Sequence, residues 1–356
     1  MTPDRRPGVT PPSAQARRDA LERQSRLTKP SGALGRLEDA SVWLAGVQGA
    51  CPPRAFASPC LVILAGDHGV ARAAATSAYP PEVTGQMVAN FVRGGAAANV
   101  IARRVGAQVR VVDVSVDADP RYLDDLDPTV AARRIRRSSG SIDREDAMTV
   151  AETQRSIDLG CLIADELIDA GADVVLPGDM GIGNTTVAAT LIGLLTGASA
   201  AEVTGRGTGV DDVTLERKRQ AISIAMDRGR PHVTDPVALL ACVGSPDIAA
   251  MTGLLGRCAE RGVPVVLDGV VSCSAALVAD LTAPGSRDWW AAGHRSTEPA
   301  SARALDQLGL KALLDLELRL GEGTGALLAL PLLAVAADTL AHMATFDDAG
   351  VSDREH

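Results

Sequence analysis

Short apolar runs followed by polar, glycine-containing turns constrain the fold of this chain most. The run Leu61–Ala65 is wholly apolar, and further strand candidates lie at Val109–Val116, Asp173–Leu176, Val263–Leu267 and Trp289–Ala292. Short apolar runs without alternation are typical of parallel strands that are covered on both faces. We therefore predict an α/β fold in which helices flank a parallel sheet.

The composition fits such a core. Hydrophobic residues make up 46% of the 356 residues and aromatic residues only 2%, so Ala, Val, Leu and Ile must fill the interior. This length allows one large domain with an accessory piece, or two domains. The formal net charge of −9 argues against general binding to nucleic acid or anionic membranes, although a local basic pocket for one phosphate remains compatible.

Cysteine usage and hydropathy favour a cytoplasmic protein. The six cysteines form no C-x-x-C pair and have no metal-ligand spacing, which predicts reduced, mostly buried thiols. The first residues lack the apolar segment of a signal peptide. The longest apolar run, Ala326–Ala337, contains Pro331 and predicts a buried helix rather than a membrane span.

A glutamate between two glycines, Glu322, lies in the segment Leu320–Gly325. Such a backbone can turn tightly and present the carboxylate to a ligand. Helix-like patterns are predicted on both sides, at Leu305–Leu320 and Ala326–Leu340. The alternative interpretation is an ordinary helix–helix connection, in which a glycine ends one helix and Thr324 caps the next.

Polar turns follow four of the predicted strands. The first strand is followed by Asp67 and His68, the fourth by Asp268, and the fifth by His294. In open α/β sheets, ligands bind outside the carboxyl ends of the strands. Each turn alone is compatible with a structural role, but four turns at one edge indicate a site.

Two glycine-rich segments are candidates for phosphate binding. Pro177–Thr186 follows the third strand, and an apolar helix pattern begins at Val187; a strand, a glycine-rich turn and a helix gather backbone N–H groups around an anion. The second segment, Gly205–Gly209, precedes Lys218, which is either a phosphate ligand or a solvated helix charge. Neither segment is a GxGxxG or Walker A sequence, and a plain tight turn explains the first equally well.

Eight motifs in this order resemble one enzyme family, the nicotinate-nucleotide–dimethylbenzimidazole phosphoribosyltransferases of cobalamin lower-ligand assembly. The resemblance extends from about Leu27 to about Leu340. The motifs that carry it are Lys29–Glu38, Ala65–Val70, Ser77–Gln86, Gly181–Thr186, Gly205–Gly209, Asp268–Gly269, Gly293–Pro299 and Leu320–Ala326.

The resemblance implies a pentosyl transfer. A benzimidazole nitrogen attacks the ribose C1′ of nicotinate mononucleotide, nicotinate leaves, and α-ribazole 5′-phosphate forms with inversion at the anomeric carbon. The family uses no metal, and we expect no cofactor. The resemblance also implies small-molecule substrates and a cytoplasmic homodimer. It further implies a large Rossmann-like domain with a small helical domain built from both chain ends.

The expected organisation has five parts. Residues 1–13 are predicted to be a disordered tail and residues 345–356 a flexible one. Residues 14–58 supply the N-terminal part of the small helical domain. Residues 59–304 form the large α/β domain with the substrate site, and residues 305–344 form C-terminal helices that bear the catalytic loop.

Residue roles carried over by motif make Glu322 the catalytic base. Gln86 and the turn Ser77–Pro80 match the pocket for the aromatic base, while glycines, Lys218 and Arg319 match positions around the nucleotide. The complete predicted substrate-binding set is Ser77, Tyr79, Pro80, Gln86, Asp179, Met180, Gly181, Gly183, Asn184, Thr185, Gly205, Gly207, Lys218, Asp268, His294 and Arg319.

Two positions depart from the family pattern. Relatives usually have glutamate where this chain has Asp179, so the side chain is shorter by one methylene. The identity of the preferred acceptor base is therefore not fixed by the resemblance. Asp247 is a second aspartate where relatives commonly have glutamate, and we interpret it as structural.

Elementary chemistry agrees with these assignments. An attacking azole must lose its N–H proton, which requires one positioned base, and a dianionic phosphate requires N–H groups and a cation. His68 and His294 could bind a metal, but no HxxxH or His/Cys cluster accompanies them.

Other functions stay open at this point. The same transfer could use another acceptor, such as a different benzimidazole, a purine or a phenol. A non-catalytic sensor of a nucleotide or base is the rival class, and it would not need Glu322 in the ligand cleft. A dinucleotide oxidoreductase is disfavoured because no GxGxxG opens the first strand–helix turn.

Overall fold

Five parallel strands form one sheet in a computed structural model that describes residues 9–118 and 128–352. The strand order is β2-β1-β3-β4-β5, and every pair is parallel. The predicted α/β fold is therefore confirmed, with all five predicted strands present. Their bounds are β1 Pro59–Gly66, β2 Gln108–Ser115, β3 Val174–Met180, β4 Val265–Leu267 and β5 Trp290–Ala292.

Helices connect and cover these strands in the described parts of the chain. Two short 3-10 helices lie at Arg230–His232 and Ser286–Trp289. The α-helices are α1 Ala14–Arg26, α2 Arg36–Gln48, α3 Gly69–Ala73, α4 Val83–Val92, α5 Ala97–Val105, α6 Val150–Asp169, α7 Asn184–Thr196, α8 Ala200–Val203, α9 Asp212–Gly229, α10 Pro236–Val243, α11 Pro246–Glu260, α12 Val270–Thr282, α13 Pro299–Leu308, α14 Thr324–His342 and α15 Phe346–Ala349.

The interior strand β1 separates two hydrophobic cores. All eight of its residues are buried. Val62 and Leu64 pack in a core with α6, α7, α11 and α12, whereas Leu61 and Ile63 pack with residues of α2, α4, α5 and α14. Successive side chains of a strand point to opposite faces, so a strand covered on both faces must be apolar throughout, as the sequence is here.

The predicted helix over Leu305–Leu320 is wrong beyond Leu308. Helix α13 ends there because Gly309 adopts the left-handed conformation, with φ of 70°. The following segment runs beside β5: Leu313 N–H donates to the Ala292 carbonyl at 2.8 Å, and Leu314 N–H donates to the Gly293 carbonyl at 3.0 Å. The segment therefore covers one edge of the sheet, and the chain continues from there to Glu322.

Helix α14 explains the longest apolar run. It has the length and hydropathy of a membrane span, but it is 56% buried within the structure. It packs against α2, α5, β3 and β4, so its apolarity is that of a core helix. Its N-cap is Gly323 and its first residue is Thr324, so the interpretation of Thr324 as the N-cap is wrong by one residue.

The two ends of the chain pack together. Ala16, Ala20 and Leu27 form a small core with Ala45 of α2 and Leu340 of α14. This packing is what a small helical domain built from both termini requires, although its boundaries stay a prediction.

The described parts of both predicted tails make hydrogen bonds to the rest of the structure or within a helix. Val9 N–H donates to the Pro284 carbonyl at 3.4 Å, and the Trp289 indole donates to the Thr10 carbonyl at 2.9 Å, so residues 9–13 are packed rather than disordered. Thr345 caps α15, with its hydroxyl accepting from Asp348 N at 3.1 Å. Residues 1–8 and 353–356 lie outside the described residues.

Helices α6 and α11 cross in backbone contact. A Cβ on Gly253 of α11 would overlap the Ile157 carbonyl oxygen and lie 2.9 Å from its carbon, and a Cβ on Gly160 of α6 would overlap the Ala250 carbonyl. Helices approach this closely only where a side chain is missing. The layer behind the sheet therefore depends on these two glycines.

Replacing Gly253 with Ala should lower the free energy of unfolding by about 1–3 kcal/mol, because overpacking forces the two helices apart. Gly256→Ala is the matched control on the same helix, since its Cβ would meet only the Ala283 Cβ, at 3.6 Å. The control should be neutral or stabilising by up to about 1 kcal/mol. Urea denaturation measures both, and equal effects would show that the crossing is not tight.

Candidate active site

The four polar turns predicted from the sequence meet at the carboxyl edge of the sheet, as expected. Gly181 lies directly on the end of β1, because an added Cβ would overlap the Gly66 carbonyl and lie 2.8 Å from His68 Nε2. At the other side, His294 Nε2 is 3.5 Å from the Asp268 carboxylate. Thr84 of α4 joins two of the turns, donating to Asp67 at 2.7 Å and accepting from Ile182 N at 3.1 Å.

A cleft opens above these turns. Most of the predicted site residues line it, namely Ser77, Asp179, Met180, Gly181, Gly183, Asn184, Thr185, Gly207, Lys218, His294, Arg319 and Glu322. Other lining residues were given no individual role, among them Thr76, Arg206, Thr208, Ser296 and Glu298. Five predicted residues do not line it: Tyr79, Pro80, Gln86, Gly205 and Asp268.

Glu322 occupies a constrained turn. Gly321, Glu322 and Gly323 have φ of 84°, 61° and 79°; two of these left-handed positions suit glycine, but the glutamate between them is strained. The Gly178 backbone lies against this turn, since an added Cβ there would be 2.9 Å from the Glu322 carbonyl oxygen. The glycines therefore permit this conformation, and close packing against Gly178 restrains the turn in it.

Asp268 anchors the turn from below. Its buried carboxylate accepts hydrogen bonds from Gly323 N at 3.2 Å, Gly325 N at 2.7 Å and Ala326 N at 3.1 Å. These are N–H groups at the start of α14, where a helix favours negative charge. Asp268 was predicted to bind substrate, but in this geometry it positions Glu322.

The Glu322 carboxylate is a strong base candidate. The residue is only 5% exposed, and Oε2 has no hydrogen-bond partner among the described residues. Burial raises the pKa of Glu322, a backbone hydrogen bond from Ala98 opposes the rise, and the negative charge of Asp268 adds to it. A carboxylate with a raised pKa is suited to take a proton near neutrality.

Asp179 lies beside this turn. Its Oδ1 would be 3.4 Å from a Cβ on Gly321, and Asn184 Nδ2 donates to its carboxylate at 2.6 Å. Burial raises the pKa of Asp179 well above its usual value, and the carboxylates of Asp268, Asp247 and Glu322 raise it further. Burial and the neighbouring negative charges thus both oppose ionisation of Asp179.

Lys218 is buried at the other end of the cleft. It is 1% exposed, and its ammonium donates to Thr185 Oγ1 at 2.8 Å and to the Gly205 carbonyl at 3.0 Å. Burial lowers the pKa of Lys218, and the Glu298 carboxylate opposes that change. The interpretation of Lys218 as a solvated helix charge is therefore wrong, and its third N–H is left for a ligand.

The two phosphate-binding candidates lie together around Lys218. Helix α7 begins at Asn184, three residues earlier than its apolar pattern suggests, after Gly183 in the left-handed conformation with φ of 98°. In the second loop, Arg319 donates to the Gly207 carbonyl at 3.0 Å. A helix N-terminus, a buried ammonium and a guanidinium are the groups that bind a phosphate.

The described residues contain no group of three or more His, Cys, Asp or Glu side chains that could hold a metal ion. His68 is paired with Asp247 at 3.6 Å, and His294 is paired with Asp268. All six cysteines are free thiols. The donor set is therefore that of an acid–base site and an anion site.

The comparisons with known proteins agree with this chemistry. A family model described as "Phosphoribosyltransferase" matches residues 9–351. A nicotinate-nucleotide–dimethylbenzimidazole phosphoribosyltransferase of Mycobacterium avium (strain 104) is 54% identical over 97% of both chains, and one of Mycobacterium tuberculosis (strain ATCC 25618 / H37Rv) is 53% identical over 97% of this chain and 94% of its own.

A solved structure shows the same fold. The crystal structure of CobT from Thermus thermophilus superposes with a TM-score of 0.89 and 45% identity, covering 96% of this chain and 100% of that one. Sequence, family model and fold thus agree over nearly the whole length, and the chain is a phosphoribosyltransferase that belongs to the nicotinate-nucleotide–dimethylbenzimidazole phosphoribosyltransferase family.

Proposed function

We propose that the cleft transfers the phosphoribosyl group of nicotinate mononucleotide to 5,6-dimethylbenzimidazole, giving α-ribazole 5′-phosphate and nicotinate, with Glu322 as general base. The observation that carries the proposal is the buried Glu322 carboxylate, which lines the cleft from a fixed turn. A protein that only senses a nucleotide has no use for such a base, so the geometry favours the enzyme.

The bond changes balance without a cofactor. A benzimidazole nitrogen forms a bond to ribose C1′ while the bond from C1′ to the pyridinium nitrogen breaks, and its electron pair returns to the ring. Nicotinate leaves with a neutral ring and needs no strong acid. The attacking benzimidazole becomes cationic, and its N–H proton passes to Glu322.

The nucleotide phosphate is assigned to the end of the cleft that carries Lys218. The turn Gly181–Thr185, the free N–H of Lys218 and Arg319 are its proposed ligands. The acceptor base is assigned to the opposite side, near Asp179, Ser77 and the adjoining residues Tyr79, Pro80 and Gln86. Tyr79 is 52% exposed, which supports a role at the rim of that pocket.

We also propose a cytoplasmic homodimer. Leu316 and Leu320 are each 56% exposed, on the segment that leads directly to Glu322. Exposed apolar side chains that lie close together can be buried by a protein interface. Their position supports an interface close to the cleft.

Glu322→Gln tests the base. The change keeps the size of the side chain and a carbonyl acceptor but removes the proton acceptor, so turnover should fall about 10²–10⁴-fold. The assay is chromatography of nicotinate released from nicotinate mononucleotide and 5,6-dimethylbenzimidazole. Binding of both substrates should persist, since the turn is held by the Gly178 backbone and by Asp268.

Glu317→Gln is the matched control, because Glu317 is exposed in the same segment and does not line the cleft. It should keep full turnover. Since the pKa of Glu322 is raised by burial, the activity should fall with decreasing pH at a pH above the usual glutamate range. Near-full turnover of Glu322→Gln, or an unchanged acid limb, would move the base to Asp179 or Asp67.

Lys218→Ala tests the phosphate assignment. Loss of a charge-assisted hydrogen bond typically costs about 1.5–3 kcal/mol, so the Kd for nicotinate mononucleotide should rise roughly 10- to 100-fold. The Kd for the benzimidazole should change much less. Lys311→Ala, at an exposed lysine outside the cleft, is the control, and calorimetric titration measures all three proteins. Equal losses for both ligands would contradict the assignment.

Asp179→Glu tests the acceptor choice. The substitution lengthens a side chain beside Glu322 by one methylene, and a methylene in a pocket is worth about 1–3 kcal/mol of discrimination. Relative rates among several benzimidazoles, a purine and a phenol should therefore shift by up to roughly a hundredfold. Competition assays with mixed bases measure this ratio, and unchanged ratios would place Asp179 outside the acceptor pocket.

A further inference from the structure

Glu298 uses its carboxylate in an unusual way for its position. It is the N-cap residue of α13, directly before Pro299, yet its side chain makes no capping hydrogen bond. It is buried, and Oε1 instead accepts from Gly207 N at 2.7 Å. This contact joins the start of α13 to a loop 91 residues away in the chain.

The glycine loop around Gly207 is held from several sides. Gly207 adopts φ of 53°; its N–H binds Glu298 and its carbonyl accepts from Arg319 at 3.0 Å. Gly205 packs on the Glu298 carboxylate, where an added Cβ would overlap Oε2, and its carbonyl accepts from Lys218. Three side chains from separate parts of the chain therefore fix the conformation of this loop.

We propose that Glu298 is a positioning residue for the nucleotide, acting through the Gly205–Gly209 loop and Lys218 and not on the reacting atoms. The inference deepens the proposed function and rests on it for the identity of the ligand. It accounts for a buried carboxylate at the anion-binding end of the cleft, where a negative charge would otherwise oppose phosphate.

The charge of Glu298 supports this role. Lys218 has no carboxylate within ion-pair distance among the described residues, and Glu298 opposes the fall in the pKa of Lys218 that burial causes. With Glu298 present, Lys218 is more readily kept as a cation. A protonated Lys218 is what a phosphate dianion needs.

Several hydrogen-bond donors of the glycine loop and of Lys218 already have a partner within the protein. The Gly207 N–H is already engaged by Glu298, and two of the three Lys218 protons are engaged by Thr185 and Gly205. The Gly207 N–H is therefore not a phosphate ligand, and the third Lys218 proton is left for the phosphate. Removing Glu298 would release the Gly205–Gly209 loop from its position and weaken nucleotide binding.

The proposal and simple charge repulsion predict opposite changes in nucleotide affinity when Glu298 is replaced. If Glu298 only repelled the phosphate, neutralising it would tighten nucleotide binding. If it positions the loop and Lys218, Glu298→Ala should raise the Kd for nicotinate mononucleotide roughly 10- to 100-fold, as loss of a charge-assisted hydrogen bond does. Glu298→Gln keeps an acceptor for Gly207 but loses the charge, so its Kd should fall between wild type and Ala.

The experiment is calorimetric titration of the full-length protein with nicotinate mononucleotide, without benzimidazole, followed by steady-state kinetics. KM for the nucleotide should rise in both variants, whereas kcat at saturating nucleotide should change by less than about threefold. Glu202→Gln is the matched control, because Glu202 lies on α8 just before the loop, is half exposed and pairs with Arg303. The control should bind like wild type.

Thermal melting checks that each variant is folded, and Glu298→Gln carries the test if Glu298→Ala is not. Unchanged or tighter binding in the folded variants, or the same loss in Glu202→Gln, would overturn the positioning role. A wild-type protein that binds the nucleotide but releases no nicotinate would refute the proposed reaction and leave the binding comparison valid. A wild type that does not bind the nucleotide would overturn both.

Discussion

The Asp268 carboxylate is the interaction on which the site depends. It lies at the end of β4 and accepts three hydrogen bonds from N–H groups at the start of α14, so it ties the sheet to the turn that carries Glu322. A buried carboxylate is costly unless its lone pairs are satisfied, and these three N–H groups meet that need. Without this anchor, three consecutive left-handed residues, one of them a glutamate, would have little to hold them in place.

Burial of several carboxylates in one cleft also suits the charge that moves in the proposed reaction. Positive charge begins on the pyridinium ring, passes to the sugar carbon, and then resides on the benzimidazole until its proton leaves. Asp179 and Glu322 line this path, with pKa values raised mainly by burial. A carboxylate fixed in a poorly hydrated site stabilises such developing charge without reorganising, and the raised pKa of Glu322 lets it keep the proton at the end.

The sheet and its polar turns could be predicted from the sequence because a strand covered on both faces must be apolar throughout, and each strand then ends where polar residues begin. The helix expected over Leu305–Leu320 failed because its apolar residues cover the edge of β5, an environment that a helical pattern does not distinguish. Glu298 received no role for a similar reason: before Pro299 it has the pattern of a helix start, and its contact with Gly207 depends on tertiary packing that no local pattern encodes.

The anion-binding end shows why such long-range contacts matter. A chain of net charge −9 cannot attract a phosphate through its overall field, so attraction must come from a few cations held at short range. A buried lysine tends to lose its proton, and a nearby carboxylate opposes that loss. The carboxylate must also stay out of the anion site, so that the phosphate can bind there. Binding Glu298 to the Gly207 N–H meets both conditions, because the carboxylate stays near Lys218 while its oxygen is committed to the loop.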